Sequence, residues 1–314
     1  MTNELPSPPA WANLAKSVTR RLPVARSRTI AWLCRGSKQR FVGKMAPELG
    51  GYRFDCSLRD MISRQVFFAG CFAAQEIAFL RGVLKPGMSF VDVGANWGLF
   101  SLVASHLVGS SGRVIALEPD PRLVAKLRFN LQQNRLTQVE VLDVAAAESD
   151  GECTLAGRDP EITSWAASRL VDAGDAGAGD EPSFRVRMRR LDDLLDRAGL
   201  DQVSLVKIDV EGAEDRVLAG MEAGLQRQRY ARIMLELHPA LLSGRSRTVR
   251  QVTDMLTGKG YAGYALDCSP KAVRSAYYRP WQHFSRFIVS VEQAMHDVYP
   301  HTVWISRSLP VLSG

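Results

Sequence analysis

FVDVGANWGLF, running from Phe90 to Phe100, is the stretch that decides the fold. An apolar, β-branched run ends in an acid, turns on two glycines and opens into an apolar helical pattern. This is the strand, turn and helix that cradle a ligand at the edge of an open α/β sheet. Gly94 and Gly98 let the backbone pass close to a ligand where a Cβ would collide, and the helix behind them offers N–H groups without intrahelical partners. A dinucleotide turn would read G-x-G-x-x-G, whereas G-A-N-W-G lacks the middle glycine that admits a pyrophosphate. Asp92 is a poor neighbour for pyrophosphate and a good one for an α-ammonium group, whose hydrogen bonds a carboxylate accepts directly or through water. The alternative is a structural glycine turn beside a surface aspartate.

On either side of this turn, short apolar runs suited to strands buried on both faces recur at Ser89 to Val93, Arg113 to Leu117, Val139 to Val144, Ser204 to Val210 and Arg232 to Leu237. Helical patterns alternate with them at Leu99 to Leu107, Pro121 to Asn134, Ala213 to Met221 and Thr248 to Lys259. Tyr261 to Leu266 and Thr302 to Ser306 add two strands. The fold class is therefore α/β, a doubly wound, mostly parallel seven-stranded sheet with right-handed crossovers and an N-terminal helical extension. Between Phe54 and Leu84, mixed spacing reads as a strand or turn followed by a helix that caps the core.

With 46% apolar and 23% charged residues in 314, the chain suits one globular body with extensions. Its five cysteines are odd in number and never spaced C-x-x-C, which argues against a disulfide framework and a zinc cluster and fits a reducing cytosol. No apolar run is long enough to span a bilayer and the N-terminus has no apolar leader core, so a cytoplasmic location is expected. The net charge of +7 belongs entirely to residues 1–50, which hold nine basic side chains against Glu4 and Glu48, so the remainder is neutral. The organisation expected is a basic arm over 1–53 and a body over 54–314, with insertions at 158–183 and 269–300. In the arm, Trp11, Leu14, Val18 and Leu22 recur at helical spacing among Lys16, Arg20 and Arg21 until Pro23 interrupts. One reading is peripheral contact with an anionic bilayer or a partner; the other is a solvated or loosely packed leader. The first insertion, rich in Gly, Ala and Asp, is a lid or a surface loop. The second carries Tyr277, Tyr278, Trp281, His283 and Phe284, which either wall an acceptor pocket or pack on the sheet edge.

Other strand ends extend the site. Glu118 closes the second strand in LEPD, where an acid can bind both hydroxyls of a ribose, and Pro119 follows it. This fits NAD equally well when taken alone; with Asp92 it favours S-adenosylmethionine. Asp143, Val144 and Ala145 fall where an adenine ring would lie, although Asp143 could instead cap a turn. VKIDVEGAE brings Asp209 and Glu211 to the same edge, and LELHP brings Glu236 and His238.

Three of these segments in order resemble the FkbM family of methyltransferases. Asp92, Gly94, Ala95, Asn96 and Gly98 match its D-x-G-A-N-x-G turn, and Glu118 with Pro119 its E-P strand end. Lys207 to Asp209 and Glu211 to Glu214 match its K-I-D-x-E-G-A-E segment. The resemblance spans roughly Phe54 to Tyr264 and has no counterpart for the arm or the aromatic insertion. It implies a Rossmann-like class I methyltransferase that uses S-adenosylmethionine to O-methylate sugars, lipid-linked saccharides or macrolide-type natural products.

Methyl transfer to a hydroxyl needs a positioned acceptor and a base within hydrogen-bond reach. Asp209, Glu211 and His238 are the catalytic candidates. Asp209 could alternatively hold Lys207, and His238 could cap its strand. Asp209, Glu211 and Glu236 could offer hard oxygen ligands to Mg²⁺, but no adjacent Asp-Asn pair strengthens such a site, so no metal is expected. The acceptor expected is a small molecule or saccharide. A nucleic-acid methyltransferase is disfavoured by the neutral body, and a non-catalytic nucleotide-binding module by the acids at the fourth and fifth strand ends.

Overall fold

The computed structural model describes residues 5–22, 26–157, 168–171, 182–294 and 300–310. Helices α1 (Ala10–Thr19) and α2 (Arg26–Leu33) precede a hairpin of β1 (Arg40–Lys44) and β2 (Arg53–Ser57). Next come α3 (Met61–Arg64), a π-helical turn (Gln65–Ala69) and α4 (Ala74–Val83). The first crossovers follow as β3 (Ser89–Val93), α5 (Leu99–Val108), β4 (Arg113–Leu117), α6 (Pro121–Gln133) and β5 (Val139–Leu142). Strands β6 (Ala145–Ala146), β7 (Gly151–Gly157), β8 (Ser168–Val171) and β9 (Ser183–Arg189) form a separate small sheet. The main sheet resumes through α7 (Leu191–Arg197), β10 (Leu205–Ile208), α8 (Glu214–Ala219), α9 (Glu222–Gln226) and β11 (Arg232–Glu236). The chain closes with α10 (Pro239–Gly244), α11 (Val249–Thr257), β12 (Tyr261–Leu266), α12 (Pro270–Tyr278), β13 (Ile288–Val289), α13 (Val291–Ala294) and β14 (His301–Ser306).

The main sheet has eight strands in the order β13-β12-β14-β11-β10-β3-β4-β5, one more than the sequence predicts because two-residue β13 extends the edge. β11, β10, β3, β4 and β5 run parallel, while β14 inserts antiparallel between β11 and β12. Alternation along the strands feeds two apolar layers. Phe90, Val114 and Ala116 point into one, and Val91, Val93, Ile115 and Leu117 into the other, so both faces are covered. Local chemistry starts the helices. Asp120 caps α6 by accepting from the Arg122 N–H, with Pro121 at the first position, and Thr248 and Gln251 form a capping box at α11.

Two expectations need correction. The arm is not a loosely packed leader: Ala12, Ile30, Cys34 and Phe41 are buried in the same apolar layer as Phe90 and Leu102. Arg26 donates to the Tyr277, Arg20 and Leu22 carbonyls, and Lys16 to that of Lys44. Nor is 158–183 wholly a loop, because β8 pairs antiparallel with β7 and Ser183 opens β9. The rest of that insertion lies outside the described residues, as do 295–299 of the second. Among the described residues no single helix is long and apolar enough to cross a membrane.

Candidate active site

The turn after β3 is built around close backbone approach. Gly94 has φ +83°, and a Cβ there would fall 1.9 Å from the Asp209 carbonyl oxygen at the end of β10. Asn96 also adopts a left-handed conformation, φ 54°, which asparagine tolerates; its Oδ1 accepts from the Trp97 N–H at 2.7 Å. The Asn96 N–H donates to Glu118 Oε2 at 2.7 Å, and the Asp120 N–H to Glu118 Oε1 at 2.9 Å. Glu118 is buried, and that burial raises its carboxyl to about 7 in spite of both donors. A narrow cavity of about 80 Å³ opens beside it, lined by Gly94, Asn96, Pro119, Val144 and Ala145 among others.

A second cavity of about 580 Å³ lies on the other side of the same turn. Gly94, Asn96, Asp209 and Glu211 line both. Glu211, at φ 51°, is the third left-handed residue of this junction, a strained backbone typical of functional sites. The wide cavity has apolar walls from Met61, Ile62, Phe72, Met234 and Val273 and a charged floor.

Sheet register assembles that floor. β10 against β3 sets Lys207 opposite Asp92, and β11 against β14 sets Glu236 opposite His301. The Lys207 ammonium donates to Asp209 Oδ2 at 3.0 Å, lies 4.0 Å from Asp92 Oδ1 and sits over the Phe100 ring. Burial opposes its charge, but Asp209 and Asp92 outweigh that and raise its pKa; Lys207 in turn pulls Asp209 below the ordinary carboxyl range against the same burial. His301 Nδ1 pairs with Glu76 at 3.0 Å, and its Nε2 lies 3.7 Å from Glu236. His238 Nδ1 meets Glu214 at 2.6 Å, and its Nε2 lies 3.3 Å from Glu211 and 3.8 Å from Glu236. Burial disfavours both imidazolium ions, yet the surrounding carboxylates raise each to about 9. Glu236 is raised to about 7 by burial and by the Asp209 charge.

The residues singled out from the sequence divide by position. Glu118, Pro119, Val144 and Ala145 line the narrow cavity, Ala95 the wide one, and Gly94, Asn96, Asp209 and Glu211 the junction. Asp92 lines neither: it is fully buried beneath the turn, where Oδ2 accepts from the Ser101 hydroxyl at 2.6 Å and Oδ1 has no hydrogen bond. Gly98 sits at the start of α5 against Leu127, and His238 is enclosed behind Glu211. Asp143 turns outward to Arg187 at 3.0 Å. Of the aromatic insertion, Tyr277 reaches the wide cavity, whereas Phe284 packs on Phe79 and Trp281 lies under Arg81. Sequence reasoning did not select Lys207, Glu76 or His301 as functional. Lys207 stood in the quoted motif, but nothing in the sequence pairs His301 with a strand end so far upstream.

The donor atoms of Asp209, Glu211 and His238 lie within 4.8 Å of one another, a spacing that could hold a metal ion. Lys207, paired with Asp209 at 3.0 Å, competes with a cation for that carboxylate.

A parallel sheet whose carboxyl edge carries two cavities meeting at a glycine turn is an open α/β fold with its ligand sites at the strand ends. The profile of the methyltransferase FkbM domain matches residues 92–262, and the chain belongs to that family of methyltransferases. Among its relatives, the AMB antimetabolite synthetase AmbE of Pseudomonas aeruginosa is 30% identical over 57% of the chain, which spans 10% of that protein. The 31-O-demethyl-FK506 methyltransferase FkbM of Streptomyces tacrolimicus is 28% identical over 63% of the chain and 80% of its own length. The 2-O-methyltransferase NoeI of Sinorhizobium fredii is 28% identical over 46% of the chain and 62% of its own length. Among solved structures, methyltransferase FkbM from Methylobacillus flagellatus KT superposes with a TM-score of 0.42 at 15% identity, covering 78% of this chain and 55% of that one.

Proposed function

We propose that the protein transfers a methyl group from S-adenosylmethionine to a hydroxyl of a small molecule or saccharide. The observation that carries this reading is the junction at Gly94, Asn96, Asp209 and Glu211, where a narrow cavity with a ribose-binding acid meets a wider one with apolar walls and a titratable floor. The narrow cavity suits the nucleoside: Glu118 can accept from both ribose hydroxyls, and Val144 and Ala145 give an adenine ring an apolar bed. Gly94 lets the turn lie against the Asp209 carbonyl, which brings the two halves of the junction together. Bound there, S-adenosylmethionine supplies a methyl group already activated on a sulfonium. O-methylation is also what the names of FkbM and NoeI state for those relatives.

What remains for this chain is to hold the hydroxyl at the junction and take its proton. Glu236 is suited to take it. It lines the wide cavity, its carboxylate makes no hydrogen bond among the described residues, and its nearest cations are the two imidazoles at 3.7 and 3.8 Å. With its carboxyl near 7, it is a base at working pH that can hold the proton afterwards. Asp209, neutralised by Lys207, is the weaker base and serves to position the junction backbone. Glu211 presents a second acceptor there, held by His238.

Parallel calorimetric titrations with S-adenosylmethionine, S-adenosylhomocysteine and NAD test the reading. Saturable binding of the two sulfur compounds alone is expected, followed by methyl transfer in a screen of glycosides and natural-product alcohols. Binding of NAD alone, or of none of the three, would overturn it.

A further inference from the structure

Both helices of the arm turn one face to solvent, and the two faces have the same character. On α1, Trp11, Leu14 and Val18 are 37, 69 and 50% exposed and follow one another at i, i+3 and i+7, with exposed Arg21 one turn further on. The opposite face of α1 buries Ala12 and Thr19 and lays Lys16 over the Phe67 ring, and Trp11 stacks on Phe68 at its edge, so the helix is anchored and Leu14 and Val18 are surplus to its packing. On α2, Arg28, Ala31 and Trp32 share the outer face, and Trp32 is 73% exposed; Arg35 and Lys38 follow the helix, both exposed. From residue 5 to residue 47 the chain has no aspartate or glutamate, so these cations have no carboxylate of their own segment to face.

We propose that the outer faces of α1 and α2 dock on an anionic lipid bilayer, with Leu14, Val18 and Trp32 entering the headgroup layer and Arg21, Arg28, Arg35 and Lys38 facing lipid phosphates. A tryptophan ring, apolar with one N–H, prefers that layer, and a basic helix with an apolar stripe lies in it. A second copy of the chain is the poorer occupant, because a two-fold contact would set this cationic surface against itself and bury only a few apolar side chains. A nucleic acid would satisfy the cations but offers nothing to Leu14 and Val18. The docked surface belongs to the same unit as the wide cavity. α2 contributes Ser27 to its lining, and Arg26 ties α2 to the carbonyl of Tyr277, another lining residue.

Co-sedimentation of the full chain with phosphatidylcholine vesicles, with and without phosphatidylglycerol, tests the proposal. Pelleting is expected only with the anionic lipid and weakens with added salt. Replacing three cations together, Arg21→Gln, Arg28→Gln and Arg35→Gln, should lower the partition coefficient on the order of a hundredfold. Leu14→Ser with Trp32→Ser should abolish retention at moderate salt. Thermal unfolding and S-adenosylhomocysteine affinity are read on each variant and stay at the parent values, which separates lost docking from lost folding or cofactor binding. Failure to bind anionic vesicles at low salt overturns the proposal. So does equal binding to neutral vesicles, tighter binding to RNA than to vesicles, or a dimer in light scattering that the serine variant reduces to a monomer.

Discussion

Glu118 makes the proposed nucleoside site sensitive to pH. Burial raises its carboxyl from 4.5 to about 7, so the folded protein holds a proton there that the unfolded chain releases. The group therefore contributes stability below its ordinary pKa, and that contribution is lost as pH rises through 7. Integrated from pH 5 to pH 8, the loss is about 2.5 kcal/mol. Glu118→Gln cannot titrate, so the gap in unfolding free energy between parent and variant should change by about that amount over the interval, whatever the cost of rearranging the two backbone donors. Binding runs the opposite way, because only the carboxylate can accept from two hydroxyls. Affinity for S-adenosylhomocysteine should rise about tenfold between pH 6 and pH 8 in the parent relative to the glutamine variant. Urea unfolding and calorimetry at matched pH values measure both. Parallel stability curves together with parallel affinity curves would refute the assignment of Glu118 to a buried, ribose-facing carboxylate.

Glu236→Gln should lower kcat in the acceptor screen by about 10²- to 10⁴-fold while leaving cofactor affinity unchanged, and retained turnover would remove it as the base. Gly94→Ala sets a methyl 1.9 Å from the Asp209 carbonyl at a left-handed φ. A loss of roughly 2 to 4 kcal/mol in denaturant unfolding and of cofactor binding is expected. On the far face of the sheet, Asp192 accepts from the Tyr230 hydroxyl at 2.6 Å and the Gly224 N–H at 2.9 Å. Asp192→Ala should cost about 3 kcal/mol, because it strands both donors, and Tyr230→Phe about 1 kcal/mol, with neither affecting cofactor affinity.

The parallel half of the fold was legible because its strands are buried on both faces. Ser89 to Val93 and Arg113 to Leu117 read as unbroken apolar runs, and β3 and β4 occupy those residues. The small sheet was overlooked although β9 carries a period of two in F-R-V-R-M-R, with Val186 and Met188 buried and the arginines outward. The arm misled because its exposed stripe is the visible half of the pattern, while Ala12 and Thr19, small residues, make the contact. In the site, residues at the ends of consecutive parallel strands were found together, as with Gly94, Asn96 and Glu118. His301 and Glu76 were not, since they meet Glu236 only through an antiparallel strand slotted between two parallel ones.

Every residue lining the narrow cavity falls between Val93 and Ala213, within the segment that matches the family. More than half of those lining the wide one fall outside it, from Ser27 and the α3–α4 region at one end to Tyr277 and His301 at the other. On the proposed assignment of the two cavities, donor handling and acceptor choice are encoded in separable stretches of the chain. The same assignment implies that substitutions in the flanks redirect the enzyme to a new acceptor without touching the cradle, so that a protein of this plan diversifies its products while its chemistry stays fixed.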